Sequence, residues 1–430
     1  MMIAILGGGL AGLSAAYHLN GNNYLILEKE NQAGGLCRST QIKGYTFDYA
    51  PHVFFTQNEY VLSLINKLLG NNLIQQDRRA YIYLNNVYVK YPFEANLSVL
   101  PGDVISECID SMLNRDDKEP KNFKEWIYAT FGRGIAEHYL IPYNEKMWKY
   151  DLSEISLDWI SGRVPAPTVE EIKKGASGQQ DKEFGPNAQF LYPKVGGMGA
   201  IVKAFSNKLR LSLNSKVTRI KHKKDEVEIG YEKDKKTKKM NVKHVVSTLP
   251  LPDIIKMFDD ASEEVIKVSE ALVHNSLVCI NIGIKRAGIS DKHWVYFPEK
   301  KIIFNRISFP MNFSRFTTPK GKSSILVEIT YEKNSRIDLE GIKERVINGL
   351  IDADILKEND EIDVCDASYF RYAYVIHDLK HKKNVEIIHK FLKEKNIIPV
   401  GRFGEWEYLN MDKAILSGKN AVIKLKNVMK

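Results

Sequence analysis

Apolar and polar positions change period several times along the chain, and the changes mark its elements. Ile3-Ala4-Ile5-Leu6 is a short continuous apolar run of the kind a buried strand makes. Helical spacing follows to residue 19, and Tyr24-Leu25-Ile26-Leu27 is a second strand-like run. Residues 59 to 70 and 103 to 150 again place apolar side chains at helical spacing, the second stretch including Trp126, Ile127, Phe131, Tyr139, Leu140 and Met147. They predict a helical insertion. Short β-type runs return at Val217 to Ile220, Val227 to Tyr231 and Val242 to Leu249. Leu277 to Ile284, Trp294 to Phe297, Ile302 to Phe309 and Ser324 to Thr330 predict a second sheet. A last strand, Ile397 to Val400, leads through Gly401-Arg402 to a helix from about Asp412.

The first strand runs straight into Gly7-Gly8-Gly9-Leu10-Ala11-Gly12, a G-x-G-x-x-G that opens a helix, and Glu28 closes the next strand. That order is a dinucleotide fingerprint. Gly7 permits the tight turn, Gly9 lets the backbone approach a pyrophosphate, and Gly12, with Ala11, lets helix pack closely on sheet. A carboxylate at Glu28 accepts hydrogen bonds from an adenosine ribose. A second glycine pair, Gly34-Gly35-Leu36-Cys37-Arg38-Ser39, points to a flavin nucleotide, with Arg38 and Ser39 along the pyrophosphate and ribityl chain. The expected architecture is therefore α/β: a discontinuous Rossmann-like FAD-binding domain (residues 1–84, 190–262 and 366–430), an inserted, mainly helical substrate or lid subdomain (85–189) and a second β-sheet substrate domain (263–365).

With 430 residues, 44% hydrophobic and 27% charged, the chain can bury a sizeable core. Residues 3 to 19 are apolar enough for a signal peptide, yet they lack a basic leader and a cleavage-type end. No run is long and uncharged enough to span a bilayer. Cys37, Cys108, Cys279 and Cys365 show neither metal spacing nor a disulfide framework, so no metal is expected and a reducing cytoplasm is the expected location. Much of the net charge of +9 comes from Lys221 to Lys243. No aromatic residues interleave with the lysine cluster 233–239, so it reads as a solvated hairpin tip rather than a nucleic-acid patch.

Several longer segments resemble UDP-galactopyranose mutases of the eukaryotic type, within the FAD-dependent amine-oxidase and protoporphyrinogen-oxidase-like superfamily. They are Tyr91-Pro92-Phe93, the stretch Ile141 to Trp148, Gly162-Arg163-Val164-Pro165-Ala166-Pro167, Gly185-Pro186-Asn187-Ala188, Gly196-Gly197-Met198-Gly199, Trp294 to Pro298, and Gly401 to Asp412. In that family, reduced, non-covalent FAD attacks the anomeric carbon through N5, the nucleoside diphosphate leaves, and the sugar ring reopens and closes as a furanose for cell-surface glycan assembly, with no net redox change. By position, the resemblance gives Arg163 and Arg306 to the diphosphate, and the hydroxyls of Tyr296, Tyr374 and Tyr408 to the same phosphates. Tyr91 and Phe93 would line the base pocket, Asn144 and Trp148 would lie near nucleoside and flavin, and Asn187 would close over substrate on a lid hinged at Gly162 and Gly185. His52 would sit on a loop beside the flavin, and Val217, Gly401, Arg402, Asn410, Met411 and Asp412 would complete the FAD site. NAD(P)H is expected only as a transient reductant in the substrate cleft.

Two positions depart from the family pattern. Ala50-Pro51 stands before His52 in place of two glycines, and proline stiffens that loop. Glu94 stands where a glutamine reads uracil, and an ionised carboxylate only accepts hydrogen bonds, whereas an amide also donates. The leading reading is a nucleotide-sugar mutase acting on a UDP-sugar. The alternatives are a redox enzyme of the same superfamily, working on a sugar or lipid intermediate, and a catalytically silent flavoprotein. Two converging arginines with tyrosine hydroxyls favour a diphosphate, and an apolar aromatic cage favours an amine or a porphyrin.

Overall fold

A computed structural model describes the chain except Met1, Asn22, Asp116, Asp117, Ser161, Gly162, Pro186, Asp225, Met429 and Lys430. The hinge expected at Gly162 lies outside the described residues.

Ile3–Leu6 and Tyr24–Leu27 pair in parallel, residue for residue from Ile3 opposite Tyr24. They sit inside a five-stranded parallel sheet completed by Leu211–Ser212, His244–Ser247 and Ile397–Pro399. The nucleotide fold is thus assembled from distant parts of the chain, as expected of a discontinuous domain. The helix Leu10–Leu19 lies against the helix Met411–Val428, with Ser14 Oγ donating to Ile415 O at 2.7 Å. A Cβ added at Gly418 would lie 2.3 Å from Ala11 O, so only glycine permits this approach.

The second sheet has seven strands, antiparallel except where Trp294–Tyr296 runs parallel to Ala80–Leu84. Its centre, Asn275–Ile284 beside Ser323–Glu332, is buried through almost its whole length. Ala80–Leu84 belongs to this sheet although it precedes the boundary expected at residue 84, and Ile362–Phe370 straddles the one expected at 365. Two expected strands come out differently. Val242 to Leu249 is split between Lys236–Val242, in a three-stranded sheet, and His244–Ser247, in the parallel sheet. Ile302 to Phe309 pairs only over Arg306–Ser308, while Ile302 and Phe304 fill the core. The lysine-rich segment is a hairpin of Val227–Lys233 and Lys236–Val242 whose tip is Asp234-Lys235.

The helices Gly102–Leu113, Phe123–Ile135 and Ile141–Trp148 share a core with Ile82, Leu84 and Val89 of the second sheet. The first two touch backbone to backbone, because a Cβ at Gly134 would lie 2.7 Å from Cys108 Cα.

Candidate functional site

At the carboxyl end of the first strand the fingerprint takes the conformation its residue types dictate. Gly7 has φ +94°, and Gly9 caps the helix Leu10–Leu19 from an extended conformation. A Cβ added to Gly9 would meet nothing within 4 Å, whereas one added to Gly12 would lie 2.2 Å from Gly7 O. The turn therefore presents free space at Gly9 beside unpaired helix N–H groups, and close packing at Gly12, which fits a dinucleotide pyrophosphate. Gly34 N donates to Gly8 O at 2.7 Å and draws the second glycine pair alongside the first. Glu28 is buried behind the turn, accepting from Gly8 N at 2.7 Å.

Arg38 stacks 4.3 Å over Tyr49 and donates from Nε to Gly35 O at 3.0 Å. Ser39 is committed within the protein: its hydroxyl donates to Asp48 at 2.6 Å and accepts from Gly199 N at 2.7 Å. Val217 is buried in a strand tied to Glu28 by Ser215 N donating to Glu28 O at 2.7 Å. Met411 and Asp412 open the long helix beside the cleft, and Asp412 accepts from Thr56 Oγ1 at 3.2 Å.

A cleft beside the second sheet measures about 260 Å³. Leu36, His52, Asn187, Arg402 and Asn410 line it together with Arg163, Arg306 and the tyrosines 91, 296, 374 and 408. Register explains part of this convergence. Tyr296 is directly opposite Arg306, which is directly opposite Glu328, so the three share one face of the sheet. The Arg306 guanidinium is gripped by the fully buried Glu328 carboxylate through Nε and, at 2.9 Å, Nη2. Arg163 is held by carbonyls, donating to Trp159 O and, at 2.8 Å, to Tyr408 O. Arg402 donates to Leu409 O and Ala373 O.

Burial, reinforced by Arg402, pushes the His52 pKa down to about 4. Its Nδ1 lies 2.7 Å from Ala50 O. A carbonyl only accepts, so Nδ1 carries the proton and Nε2 is left as an acceptor. Asn187 Oδ1 accepts from Arg78 Nη1 at 2.7 Å, and Arg78, itself buried, stacks 4.8 Å from the Tyr91 ring centroid.

Four residues expected at the substrate are instead packed behind the cleft wall. Phe93, fully buried, stacks on Tyr139 with ring centroids 5.1 Å apart. Asn144 spends its amide on Leu140 O and on Trp148 Nε1, which donates to it at 3.0 Å, and Trp148 is only 2% exposed. Apolar packing and an internally satisfied amide hold them there. Glu94 is 2% exposed, and burial pushes its pKa up to about 8. It is therefore protonated at neutral pH, which corrects the ionised carboxylate assumed from sequence. A neutral carboxyl offers one donor and one acceptor, as an amide does.

Sequence reasoning missed Glu328 and Arg78. Glu328 had a signal, since it is the one charge inside the run Ser323 to Tyr331. Arg78 had none.

A family profile described as flavin containing amine oxidoreductase matches residues 10–422. A UDP-galactopyranose mutase from Mycoplasma pneumoniae is 26% identical over 196 residues, which is 40% of this chain and 49% of that protein, so the chain spans about half the length of this curated relative. A solved structure of a reduced UDP-galactopyranose mutase superposes at a TM-score of 0.93 with 26% identity, covering 99% of this chain and 94% of that one. A putative protoporphyrinogen oxidase from Exiguobacterium shares the fold, with a TM-score of 0.78 at 14% identity over 99% of each chain. No helix among the described residues is long and apolar enough to cross a membrane.

Proposed function

The chain belongs to the flavin containing amine oxidoreductase family, and from that premise we propose that it is a flavin-dependent isomerase interconverting the pyranose and furanose forms of a UDP-galactose-like sugar. The observation that carries the reading is a single cleft lined by three arginines and four tyrosines. Such a wall suits a diphosphate and repels a protonated amine.

Bound and reduced, FAD supplies the nucleophilic nitrogen for a ring exchange without net redox change. The chain's own share is positional. Arg163 and Arg306 grip the diphosphate as it departs and returns, each staying charged throughout. Glu328 fixes the plane of the Arg306 fork, and the hydroxyls of Tyr296, Tyr374 and Tyr408 complete the phosphate contacts. His52, neutral and oriented by Ala50 O, offers an acceptor beside the flavin ring. Asn187, latched by Arg78, closes the cleft against water. Glu94, protonated and packed behind the cleft wall, puts no negative charge beside the base. The same cleft would admit NAD(P)H as a transient reductant of the flavin, and the furanose product would serve glycan assembly.

The test is incubation of dithionite-reduced protein with a panel of nucleotide sugars, separating pyranose from furanose products by chromatography. Conversion of a UDP-sugar without consumption of reductant is the expected result. Peroxide or oxygen uptake in proportion to product would overturn it in favour of an oxidase.

A further inference from the structure

Adjoining the arginine wall, two segments meet at a group of side chains the sugar chemistry does not use. His377 lies just before the helix His381–Glu394, His381 is the first residue of that helix, and Glu407 lies in the turn ahead of Met411–Val428. One ligand-capable atom from each falls within 4.8 Å of the other two. His377 is only 5% exposed, and neither of its ring nitrogens has a hydrogen-bond partner. Burying such a group unpaired is costly unless something else occupies its lone pair.

The spacing and tautomers fit a metal ion. His377 Nε2 lies 3.4 Å from Glu407 Oε2, close to the roughly 3.3 Å between two donors on one tetrahedral ion with bonds of about 2.0–2.1 Å. His381 Nε2 is 2.7 Å from Trp406 O. A carbonyl only accepts, so the proton is on Nε2, and the Nδ1 lone pair is free to ligate. Orientation of a ligating imidazole by a carbonyl on its far nitrogen is the usual outer support of such sites. The two rings are stacked, centroids 3.9 Å apart and 10° from parallel, so one imidazole must turn well out of the stack to bring both in-plane lone pairs onto one ion. Arg163 and Lys380 face the group, and the carboxylates of Glu405, Asp158 and Asp378 offset them.

We propose that His377, His381 and Glu407 bind one divalent ion of the zinc type, leaving a fourth position to water. Two imidazoles with one carboxylate suit zinc better than the all-oxygen shells of magnesium or calcium. Its role is positional. Glu407 is followed by Tyr408, whose ring lines the cleft and whose carbonyl receives Arg163 at 2.8 Å. The ion clips that backbone to the 377–381 segment and so holds both groups in place.

The experiment uses FAD-loaded, full-length protein, stripped with chelator and titrated with Zn²⁺ against a chromogenic competitor. One equivalent is expected, with affinity at least tenfold weaker in Glu407→Gln and unchanged FAD absorbance. Glu407 is partly exposed, so this isosteric change tests ligation rather than folding. Co²⁺ added to the unaltered protein gives an independent readout, an intense tetrahedral band envelope in the flavin difference spectrum. Absence of a stoichiometric ion in the unaltered protein, a weak octahedral Co²⁺ spectrum, or equal Zn²⁺ affinity in Glu407→Gln would each overturn the proposal.

Discussion

Arg163 and Arg306 face the same cleft but are held differently, and that difference separates their mutants. Arg306 is paired with a buried carboxylate, so Arg306→Ala strands Glu328 without a counter-charge. That should cost about 3–5 kcal/mol of stability, visible as a lower urea midpoint. Arg163 rests on carbonyls, so Arg163→Ala should keep near-normal stability and weaken UDP binding about ten- to a hundredfold, read by flavin or tryptophan fluorescence. Unchanged UDP affinity in Arg163→Ala would remove the diphosphate assignment. Glu94 makes a prediction in pH. Its folded-state pKa of about 8 lies above its ordinary 4.5, so between these values the folded protein keeps a proton that the unfolded chain has lost. Stability therefore falls as pH rises through this window, by up to ~1.4 kcal/mol per pH unit, and levels off above it. Glu94→Gln has no such proton. Its advantage in melting temperature over the unaltered protein should grow from pH 5 to pH 8, and parallel curves would show that Glu94 is already ionised.

The first strand, turn and helix separate holding a cofactor from holding a fold. Gly9 faces open space and has φ −68°, a backbone any residue adopts, so Gly9→Ala should leave flavin-stripped protein as stable as before while weakening FAD retention about tenfold. Gly12→Ala drives a methyl into Gly7 O and should cost the stripped protein about 1–3 kcal/mol. Comparing stripped proteins matters, because lost FAD alone lowers an apparent melting temperature. This unit was legible in the sequence because turn, helix and strand are all local. Other elements were not. Lys243 marks the point where Val242 to Leu249 leaves one sheet for another, and no period in the run signals it. Ile302 and Phe304 read as strand positions because apolar alternation is the same whether side chains pack on a sheet or plug a core. The sequence alone puts Phe93 at the base and Asn144 and Trp148 near nucleoside and flavin, whereas their three-dimensional partners, Tyr139, Leu140 and each other, pack them into the wall.

At the scale of the molecule, charge and chain order matter most. The hairpin 227–242 sets five lysines against three acidic residues, with Glu228 between Lys223 and Lys239 and exposed lysines along its outer strand. Replacing Lys235, Lys236 and Lys238 by serine should change stability by no more than about 0.5 kcal/mol at each position and leave UDP affinity unchanged, checked by urea unfolding and UDP titration. A fall in UDP affinity would mean that this face steers the substrate. Chain order has a consequence for biogenesis. The helix carrying Gly12 is completed by a partner that approaches it at Gly418, and the sheet beneath it by strands at His244–Ser247 and Ile397–Pro399. A ribosome adding 5–20 residues per second reaches Gly418 roughly 20–80 s after Gly9. For that interval the nascent cradle stands without its neighbours, so its completion waits for Gly418, and a message cut short before the helix Met411–Val428 yields a polypeptide that has the fingerprint but lacks the helix that packs on it.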